Sequence, residues 1–227
     1  MSGYLYATHF YFMQLVFDLG NSIQKCAVFH GDEIVKLIEQ EVISLYDAQN
    51  IFSEFKIQRS ILASVIDHES QFENYLKEEF HTIILSHNTP IPIINKYTTP
   101  ETLGKDRLAC AVGAWKKFTG KNVLAIDAGT CIKYDFVDAS GIYHGGAISP
   151  GLNMRFKALH NYTAKLPLLN TSMLNNSAMQ VTGDSTEHSI ISGASLGAAF
   201  EVDGVIDHYI KTFDDLQVLL TGGDAPF

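Results

Sequence analysis

Short apolar segments that end in polar turns recur along this chain and alternate with segments of helical periodicity. An apolar strand is predicted from Met13, and two further short strands are predicted over 61–67 and 81–86. Helical periodicity near 46–55 and 69–79 lies between these strands. Strands and helices that alternate in this way are typical of an α/β fold, in which helices flank a central sheet.

The second half of the chain begins with an echo of the first. Residues 14–29 read QLVFDLGNSIQKCAVF, and residues 122–137 read NVLAIDAGTCIKYDFV. Each segment is an apolar strand that ends in Asp-x-Gly, followed by a polar turn and a second strand. The two aspartates, Asp18 and Asp127, are 109 residues apart, which is too far for a solenoid repeat. The echo predicts two related domains that each open with a strand–turn–strand unit.

We therefore expect an N-terminal domain over 13–117 and a C-terminal domain over 118–227. Residues 1–12 are expected to be an extension with no role in the chemistry. Clustered prolines predict a loop over 87–100. A helix is predicted to begin at the end of this loop, because Thr99 can cap it and Pro100 suits its first position. The remaining predicted elements are a strand through 145–148, helices near 151–161 and 186–212, and a final strand and turn over 218–223.

Composition and charge narrow the classes of function. The 227 residues are 46% hydrophobic and 18% charged, which is enough apolar material for a buried core. A net charge of -9 argues against a nucleic-acid surface, which needs clustered Lys and Arg. No apolar run reaches the roughly 20 residues of a membrane span. Three cysteines without CxxC spacing predict reduced thiols in a reducing cytoplasm. The charge and the short apolar runs predict that the protein binds neither nucleic acid nor membrane.

The two Asp-x-Gly turns predict phosphate chemistry. A glycine at a strand end lets backbone N–H groups approach a phosphate, and the adjacent carboxylate can hold a divalent metal against its oxygens. In the second turn the hydroxyl of Thr130 could also donate to a phosphate. A single Asp-x-Gly also occurs at ordinary β-hairpin turns. Two copies, together with a late Gly222-Gly223 pair after an apolar strand, favour nucleotide binding.

A second candidate site is the GKDR segment, Gly104–Arg107, near the start of a helix. Asp106 could act as a general base toward an alcohol, and Arg107 could bind a substrate carboxylate. The residue types alone equally allow an ordinary helix-start aspartate with a solvated arginine.

These motifs together resemble known families. The two phosphate turns and the late glycine pair resemble the superfamily of acetate and sugar kinases, Hsp70 and actin. GKDR, followed by a helix of small residues and IDAGT, resembles the pantothenate-binding motif of type III pantothenate kinases. FDLGNSIQK, IDAGT, GGAISPGL (145–152) and TGG are similar to that family's first phosphate, second phosphate, Gly-Gly…Pro-Gly and adenosine motifs. The resemblance extends over nearly all of 13–227.

This resemblance implies a fold and a reaction. The fold would be α/β, with two duplicated actin-like (ribonuclease H-like) domains, each with a mixed central sheet flanked by helices. The reaction would be ATP-dependent phosphorylation of pantothenate to 4′-phosphopantothenate, the first step of coenzyme A biosynthesis. Two alternatives remain open: a kinase of the same superfold acting on another small alcohol such as a sugar, and a non-catalytic regulatory relative.

The resemblance also implies roles for individual residues. Asp106 would be the general base that takes the proton from the pantothenate hydroxyl, and Arg107 would face the pantothenate carboxylate. The other substrate contacts would be Tyr97, Gly104, Lys105 and Thr186, with Thr182 as a neighbouring candidate for the last. ATP would be bound by Asp18, Leu19, Gly20, Asn21, Ser22, Ile23, Gln24, Lys25, Thr130, Gly222 and Gly223.

Cofactors and assembly follow from the same resemblance. Asp18 would lie on the side of a magnesium ion, and Asp127 would coordinate a monovalent cation, K⁺ or NH₄⁺. The protein would be a homodimer. Ser22 replaces the family's usual threonine and keeps its hydroxyl. The chain ends four residues after Gly223, where the family usually continues into a helix. We therefore expect either open, weak adenine binding or a naturally short chain.

Overall fold

The computed structural model describes residues 13–67, 70–174 and 180–227, so the proposed extension over 1–12 lies outside the described residues. The first elements are β1 (Met13–Leu19), β2 (Gln24–His30), β3 (Glu33–Gln40), α1 (Leu45–Glu54), β4 (Ile57–Ser64), α2 (Ser70–Phe80) and β5 (Ile83–Ile84). They are followed by β6 (Ile94–Asn95), a 3₁₀ turn (Pro100–Thr102), α3 (Lys105–Lys117), β7 (Val123–Ala128), β8 (Cys131–Val137) and β9 (Ile142–Pro150). The last are α4 (Leu152–Asn161), a 3₁₀ turn (Thr171–Met173), α5 (Thr186–Thr212) and β10 (Gln217–Thr221).

Four strands of each sheet follow the same plan. The first sheet has the strand order β3-β2-β1-β4-β5, and the second has the order β10-β7-β8-β9-β6. In each sheet, three consecutive strands pair antiparallel. The opening strand of each also pairs parallel with a later strand, β4 in the first sheet and β10 in the second. Both sheets are therefore mixed and flanked by helices, which confirms the predicted duplicated α/β fold.

Contacts within the chain divide it into two compact units. One unit runs up to Thr89 and includes Gly104–Asp106, and the other contains Pro90–Leu103 and Arg107–Phe227. Strand β6 belongs to the second sheet, and α3 contributes Leu108 and Ala111 to a cluster with β8 and β9. The domain limits 13–117 and 118–227 remain a prediction from the internal echo.

Each unit has its own core. In the first, Leu15, Phe17 and Leu19 alternate along β1 and share a cluster with residues of α1 and α2. The rings of Phe17 and Phe72 meet edge to face, with centroids 5.5 Å apart. In the second, α4 and α5 cover one face of the sheet, while α3 covers the other through Ala111 and Ala114.

The structure differs from the sequence-based expectation around residues 87–103. The segment predicted to be a loop contains the short strand β6. The helix predicted to begin at Pro100 is only a 3₁₀ turn there, and Thr99 makes no side-chain cap. Leu103 has an extended backbone, with ψ of 125°, so the α-helix starts anew at Lys105. GKDR therefore lies at the true start of α3.

Backbone packing at the carboxyl end of β7 requires two glycines. The Gly151 amide donates to the Thr130 carbonyl at 3.2 Å, and the Asp224 amide donates to the Ala128 carbonyl at 2.8 Å. A Cβ at Gly151 would lie 1.9 Å from the Gly129 carbonyl oxygen. One at Gly222, whose φ is +101°, would lie 2.1 Å from the Ala128 oxygen. Three turns thus meet through their backbones.

We predict that Gly222→Ala lowers the free energy of unfolding by more than about 2 kcal/mol, because it adds a clash to a left-handed backbone conformation. Gly223→Ala is the matched control, since its Cβ would meet nothing within 4 Å. We expect that control to stay within about 1 kcal/mol of the parent in urea unfolding. Equal losses in both variants would contradict the packing described here.

Candidate active site

The GKDR segment places its two charged candidates in different surroundings. Asp106 lies in the first turn of α3 and is partly exposed, while Arg107, the next residue, is only 5% exposed. Gly104 and Lys105 are partly exposed as well. An acidic side chain in a first helical turn is favourable, because the N-terminal end of a helix carries partial positive charge. Asp106 is therefore held at the surface and Arg107 is directed into the protein.

The guanidinium of Arg107 is bound by a buried carboxylate on β8. Its Nε and Nη2 donate to Oδ1 of Asp135 at 3.0 and 2.7 Å, and Asp135 is only 1% exposed. The hydroxyl of Tyr143 donates to the same oxygen at 2.7 Å. A buried ion pair is tolerated when hydrogen bonds complete it, as they do here. Contact between Arg107 and a pantothenate carboxylate remains a prediction.

Tyr97 completes this group. Its ring stacks on that of Tyr143 with centroids 6.2 Å apart, and the Arg107 guanidinium carbon lies 5.6 Å from its centroid. Gly145 has a φ of +93°, and a Cβ there would lie 2.9 Å from the Tyr97 ring. The structure therefore brings together two of the predicted substrate residues, Tyr97 and Arg107, at a place shaped by the Gly-Gly motif.

Burial and the ion pair determine the ionisation states of Arg107 and Tyr143. Burial by itself lowers the pKa of Arg107, but the hydrogen bond and charge of Asp135 outweigh it and hold that pKa above its ordinary value. Burial, and then the charge of Asp135, raise the pKa of Tyr143. The guanidinium stays charged and the phenol stays neutral at any physiological pH, so Tyr143 remains a hydrogen-bond donor.

The first phosphate turn presents some of its residues and buries others. Asp18, Asn21 and Ser22 are exposed at the end of β1. Leu19 is 2% exposed in the core, and the amide oxygen of Gln24 accepts from the Ile43 backbone N–H at 2.7 Å. Those two side chains serve the fold, so any nucleotide contact from them would involve the backbone.

Two further residues of the first turn, Ile23 and Lys25, are exposed, and Gly20 is partly exposed. The ammonium of Lys25 lies 2.9 Å from the carboxylate of Glu39 on β3. A Cβ at Gly20 would lie 3.0 Å from the Ile23 carbonyl oxygen, so the turn is tight and leaves its outer side open.

The second phosphate turn lies where the three turns of the second unit meet. Thr130 and Gly223 are exposed there, and Gly222 is packed on Ala128. Asp127, the last but one residue of β7, is paired in register with Thr221 of β10. The structure therefore brings the predicted second phosphate and adenosine motifs together.

Asp127 has a partner that sequence analysis did not identify. Lys133 is its cross-strand neighbour on β8, and the Lys133 ammonium lies 2.6 Å from Oδ2 of Asp127. Counting residues through the hairpin turn would have found this pair. Asp135 was also missed, because an acidic residue in an alternating strand is more often solvated than buried.

Thr186 lies away from a strand end. It is exposed, is the first residue of α5 after the capping residue Ser185, and lines an open cavity of about 990 Å³. The other lining residues come from α4, Leu166, the turn before α5 and the first turns of α5. Thr182 is exposed in that preceding segment.

One residue that lines this cavity, Arg155, belongs to a polar network. Arg155 donates to Oε2 of Glu201 at 2.5 Å, while Ser149 and Tyr134 both donate to Oε1 at 2.5 and 2.8 Å. Burial raises the pKa of Glu201, but the hydrogen bonds from Ser149, Arg155 and Tyr134 outweigh it and lower the pKa overall. Glu201 therefore stays ionised and ties α5 to α4 and β9.

We predict that Asp135→Ala lowers the free energy of unfolding by roughly 3–5 kcal/mol, because it leaves the guanidinium of Arg107 buried without its partner. Replacing both residues, as Asp135→Ala with Arg107→Met, should lose less than the single Asp135→Ala substitution. The measurement is a double-mutant cycle by urea unfolding.

The matched control is Lys121→Ala, which removes a surface ion pair with Asp215. Both side chains are about half exposed or more, so we expect a loss of at most about 1 kcal/mol. An Asp135 effect no larger than this control would mean that the buried pair contributes little.

Comparison with known proteins places these features in a family. A family model described as type III pantothenate kinase matches residues 14–208. A type III pantothenate kinase of Phocaeicola vulgatus is 45% identical over 214 residues, which cover 93% of this chain and 86% of that protein. One of Christiangramia forsetii is 44% identical over 218 residues, covering 94% and 87%.

A solved structure supports the fold. The Lmo2764 protein of Listeria monocytogenes, a candidate N-acetylmannosamine kinase, superposes with a TM-score of 0.51 at 15% identity. The match covers 93% of this chain and 83% of that one. At this identity the likeness shows the fold alone. The family match and the curated relatives, in contrast, cover most of the sequence, including both phosphate turns and GKDR. The chain therefore belongs to the type III pantothenate kinase family.

Proposed function

We propose that this protein transfers the γ-phosphoryl group of ATP to pantothenate, giving 4′-phosphopantothenate for coenzyme A biosynthesis. The observation that carries the proposal is the family match over residues 14–208, which contains the complete GKDR segment. The protein is a kinase, so ATP is its co-substrate. The sugar-kinase and regulatory alternatives are not favoured, since the curated relatives share the pantothenate kinase name.

In this proposal Asp106 is the catalytic residue. Its carboxylate accepts the proton of the pantothenate primary hydroxyl as that oxygen attacks the γ-phosphorus. Its place in the first turn of α3, partly exposed, supports this role, because a base must reach a proton on a bound substrate. Gly104 and Lys105 precede it and form the rest of the substrate loop.

Contacts with the carboxylate and amide groups of pantothenate are assigned to Tyr97, Arg107 and Thr186. The buried ion pair with Asp135 supports a positioning role for Arg107, since a guanidinium already ordered loses little freedom when substrate binds. Tyr97 is ordered by stacking on Tyr143. The cavity beside Thr186 supplies space and hydroxyl groups at a helix start.

ATP is assigned to the two phosphate turns and the late glycine pair. The backbone of residues 18–25, the hydroxyl of Thr130 and the backbone of Gly222 and Gly223 would contact the nucleotide. Exposed Asn21 and Ser22 and the tight turn at Gly20 support this assignment, because phosphates bind where backbone N–H groups are accessible.

A magnesium ion fits at Asp18. Its carboxylate is exposed at the end of β1, and Mg²⁺ usually takes one or two carboxylates, with substrate phosphates and waters completing its shell. Within 13–67, 70–174 and 180–227, no group of three or more His, Cys, Asp or Glu residues could form an all-protein site. When bound, the ion would neutralise phosphate charge during transfer.

The surroundings of Asp127 are unfavourable for the monovalent cation that is assigned to it. K⁺ or NH₄⁺ would take carboxylate oxygens, and Oδ2 of Asp127 already has the Lys133 ammonium at 2.6 Å. The added cation and this ammonium would compete for the same atoms, because two like charges repel at contact distance.

A homodimer is the proposed assembly. Helix α5 supports it, since Phe200 is more than half exposed and a Cβ at Gly193, Gly197 or Gly204, on the same side of the helix, would meet nothing within 4 Å. An open apolar face of this kind is typical of an interface.

Among the described residues, α5 is also long and apolar enough to cross a membrane by length and composition. Core helices of soluble proteins pass the same test, and Ile190, Ala194 and Ala198 of α5 lie in the second unit's core. The absence of membrane and nucleic-acid partners and the cytoplasmic location remain predictions from composition and charge.

We predict that Asp106→Asn lowers kcat for pantothenate-dependent ADP release by roughly 100-fold or more, because the amide cannot accept the proton. The melting temperature should stay near that of the parent. Glu101→Gln, an exposed carboxylate in the turn before α3, is the control and should keep most of the activity. Absence of any turnover with pantothenate in the parent protein would overturn the proposed function.

We predict that the parent protein has the mass of two chains by light scattering and that Phe200→Asp shifts it toward one chain. A buried aspartate at an apolar interface would be costly to desolvate. Tyr46→Asp, at a 70% exposed position of the first unit, should leave the mass unchanged. A parent protein of single-chain mass at micromolar concentration would exclude a stable dimer.

A further inference from the structure

The internal duplication places an aspartate and a lysine opposite each other in both sheets. In the first sheet, Asp18 on β1 is the cross-strand partner of Lys25 on β2. In the second, Asp127 on β7 is the partner of Lys133 on β8. Each pair stands at the strand end that leads into a phosphate turn. The two copies therefore offer an internal comparison of the same arrangement.

The lysines have different neighbours on their other side. Lys25 is in register with Glu39 of β3, and the two form an ion pair at 2.9 Å. Lys133 is in register with Ile148 of β9, which offers no charge. The ammonium of Lys133 instead lies 2.6 Å from the carboxylate of Asp127.

The surroundings keep Lys133 in this position. Its side chain is 17% exposed and that of Asp127 is 25% exposed, so the pair is largely withdrawn from solvent. The next carboxylate along β8, Asp135, is occupied by Arg107. Asp127, its cross-strand neighbour, lies within ion-pair distance of Lys133. A pair this poorly hydrated is weakly screened by salt.

The pair of Asp127 and Lys133 lies beside the turn that is assigned to nucleotide phosphates. Asp127 is in register with Thr221, directly before the Gly222-Gly223 pair, and three residues before Thr130. A positive charge here stands at the base of the turn assigned to nucleotide phosphates. It neutralises Asp127, which would otherwise repel an approaching polyphosphate.

We propose that the Lys133 ammonium is a built-in monovalent cation, which supplies at Asp127 the charge that an added K⁺ or NH₄⁺ would supply. The ammonium group has the same charge and hydrogen-bond donors as NH₄⁺ and is covalently tethered at the site. Turnover therefore needs no added monovalent cation. This inference rests on the proposed pantothenate kinase function.

The test measures ADP directly by chromatography, with Tris salts of ATP and pantothenate at constant ionic strength. The protein is assayed in tetramethylammonium chloride, NaCl, KCl or NH₄Cl. We expect the parent to change less than about 2-fold among these salts. Lys133→Met should lose roughly 100-fold in tetramethylammonium chloride, in line with removal of one fixed charge from an active site, and should recover at least tenfold in KCl or NH₄Cl.

Lys25→Met is the matched control, since it removes the equivalent lysine of the first sheet. Any loss that it causes should be the same in all four salts. A second variant, Lys133→Gln, keeps a polar side chain and should show the same salt rescue as Lys133→Met. If neither variant folds, the response of the parent to the four salts still decides the matter.

A binding readout separates this inference from the proposed reaction. Without substrates, KCl should raise the melting temperature of Lys133→Met relative to tetramethylammonium chloride, and should leave the parent unchanged. Stimulation of the parent by K⁺ or NH₄⁺ to more than about twofold its turnover in tetramethylammonium chloride would overturn the inference, and so would a folded Lys133→Met that neither cation rescues. Failure of the parent to use pantothenate in any salt would overturn the proposed function instead, and the melting comparison would still test Lys133.

Discussion

The buried ion pair between Arg107 and Asp135 is the interaction on which the proposed substrate site depends. Both side chains are almost fully buried, so neither charge is tolerable without the other. Tyr143 donates to the same carboxylate oxygen, and Tyr97 lies against both Tyr143 and the guanidinium. Arg107 directly follows Asp106 in the first turn of α3. Anchoring the arginine on β8 therefore also holds the backbone that presents the proposed base.

A second constraint is the close approach of backbones at the end of β7. Gly151 and Gly222 leave no room for a Cβ against residues 128–130, so three turns form a compact group with few intruding side chains. This arrangement exposes Thr130 and backbone groups together. It gives a physical reason for glycines at these positions that is independent of any contact with ATP.

The two duplicated sheets show how one plan acquires different roles. Both begin with a hairpin whose first strand carries an aspartate opposite a lysine. The third strands differ at the position beside the lysine, which is Glu39 in the first sheet and Ile148 in the second. The first aspartate is exposed in a manner that suits a divalent metal, while the second lies against a fixed ammonium. The copies share topology and differ in electrostatics.

The sequence by itself determined the α/β class, the duplication, most helix and strand positions and the membership of the motifs in one family. These properties follow from short-range periodicity and from motifs of adjacent residues such as Asp-x-Gly and GKDR. The predicted start of α3 was wrong, because the extended backbone of Leu103 separates the turn at Thr99 and Pro100 from the α-helix.

Only the tertiary structure decided the partners of the charged residues. Arg107 and Asp135 are 28 positions apart and meet because α3 packs on β8. The ammonium of Lys133 lies 2.6 Å from Asp127, its cross-strand neighbour. Sequence spacing carries no information on the pairing of Arg107 with Asp135, because the alternation of a strand does not reveal which face is buried. Burial and register, which belong to the assembled sheet, choose among the charged groups that the sequence supplies.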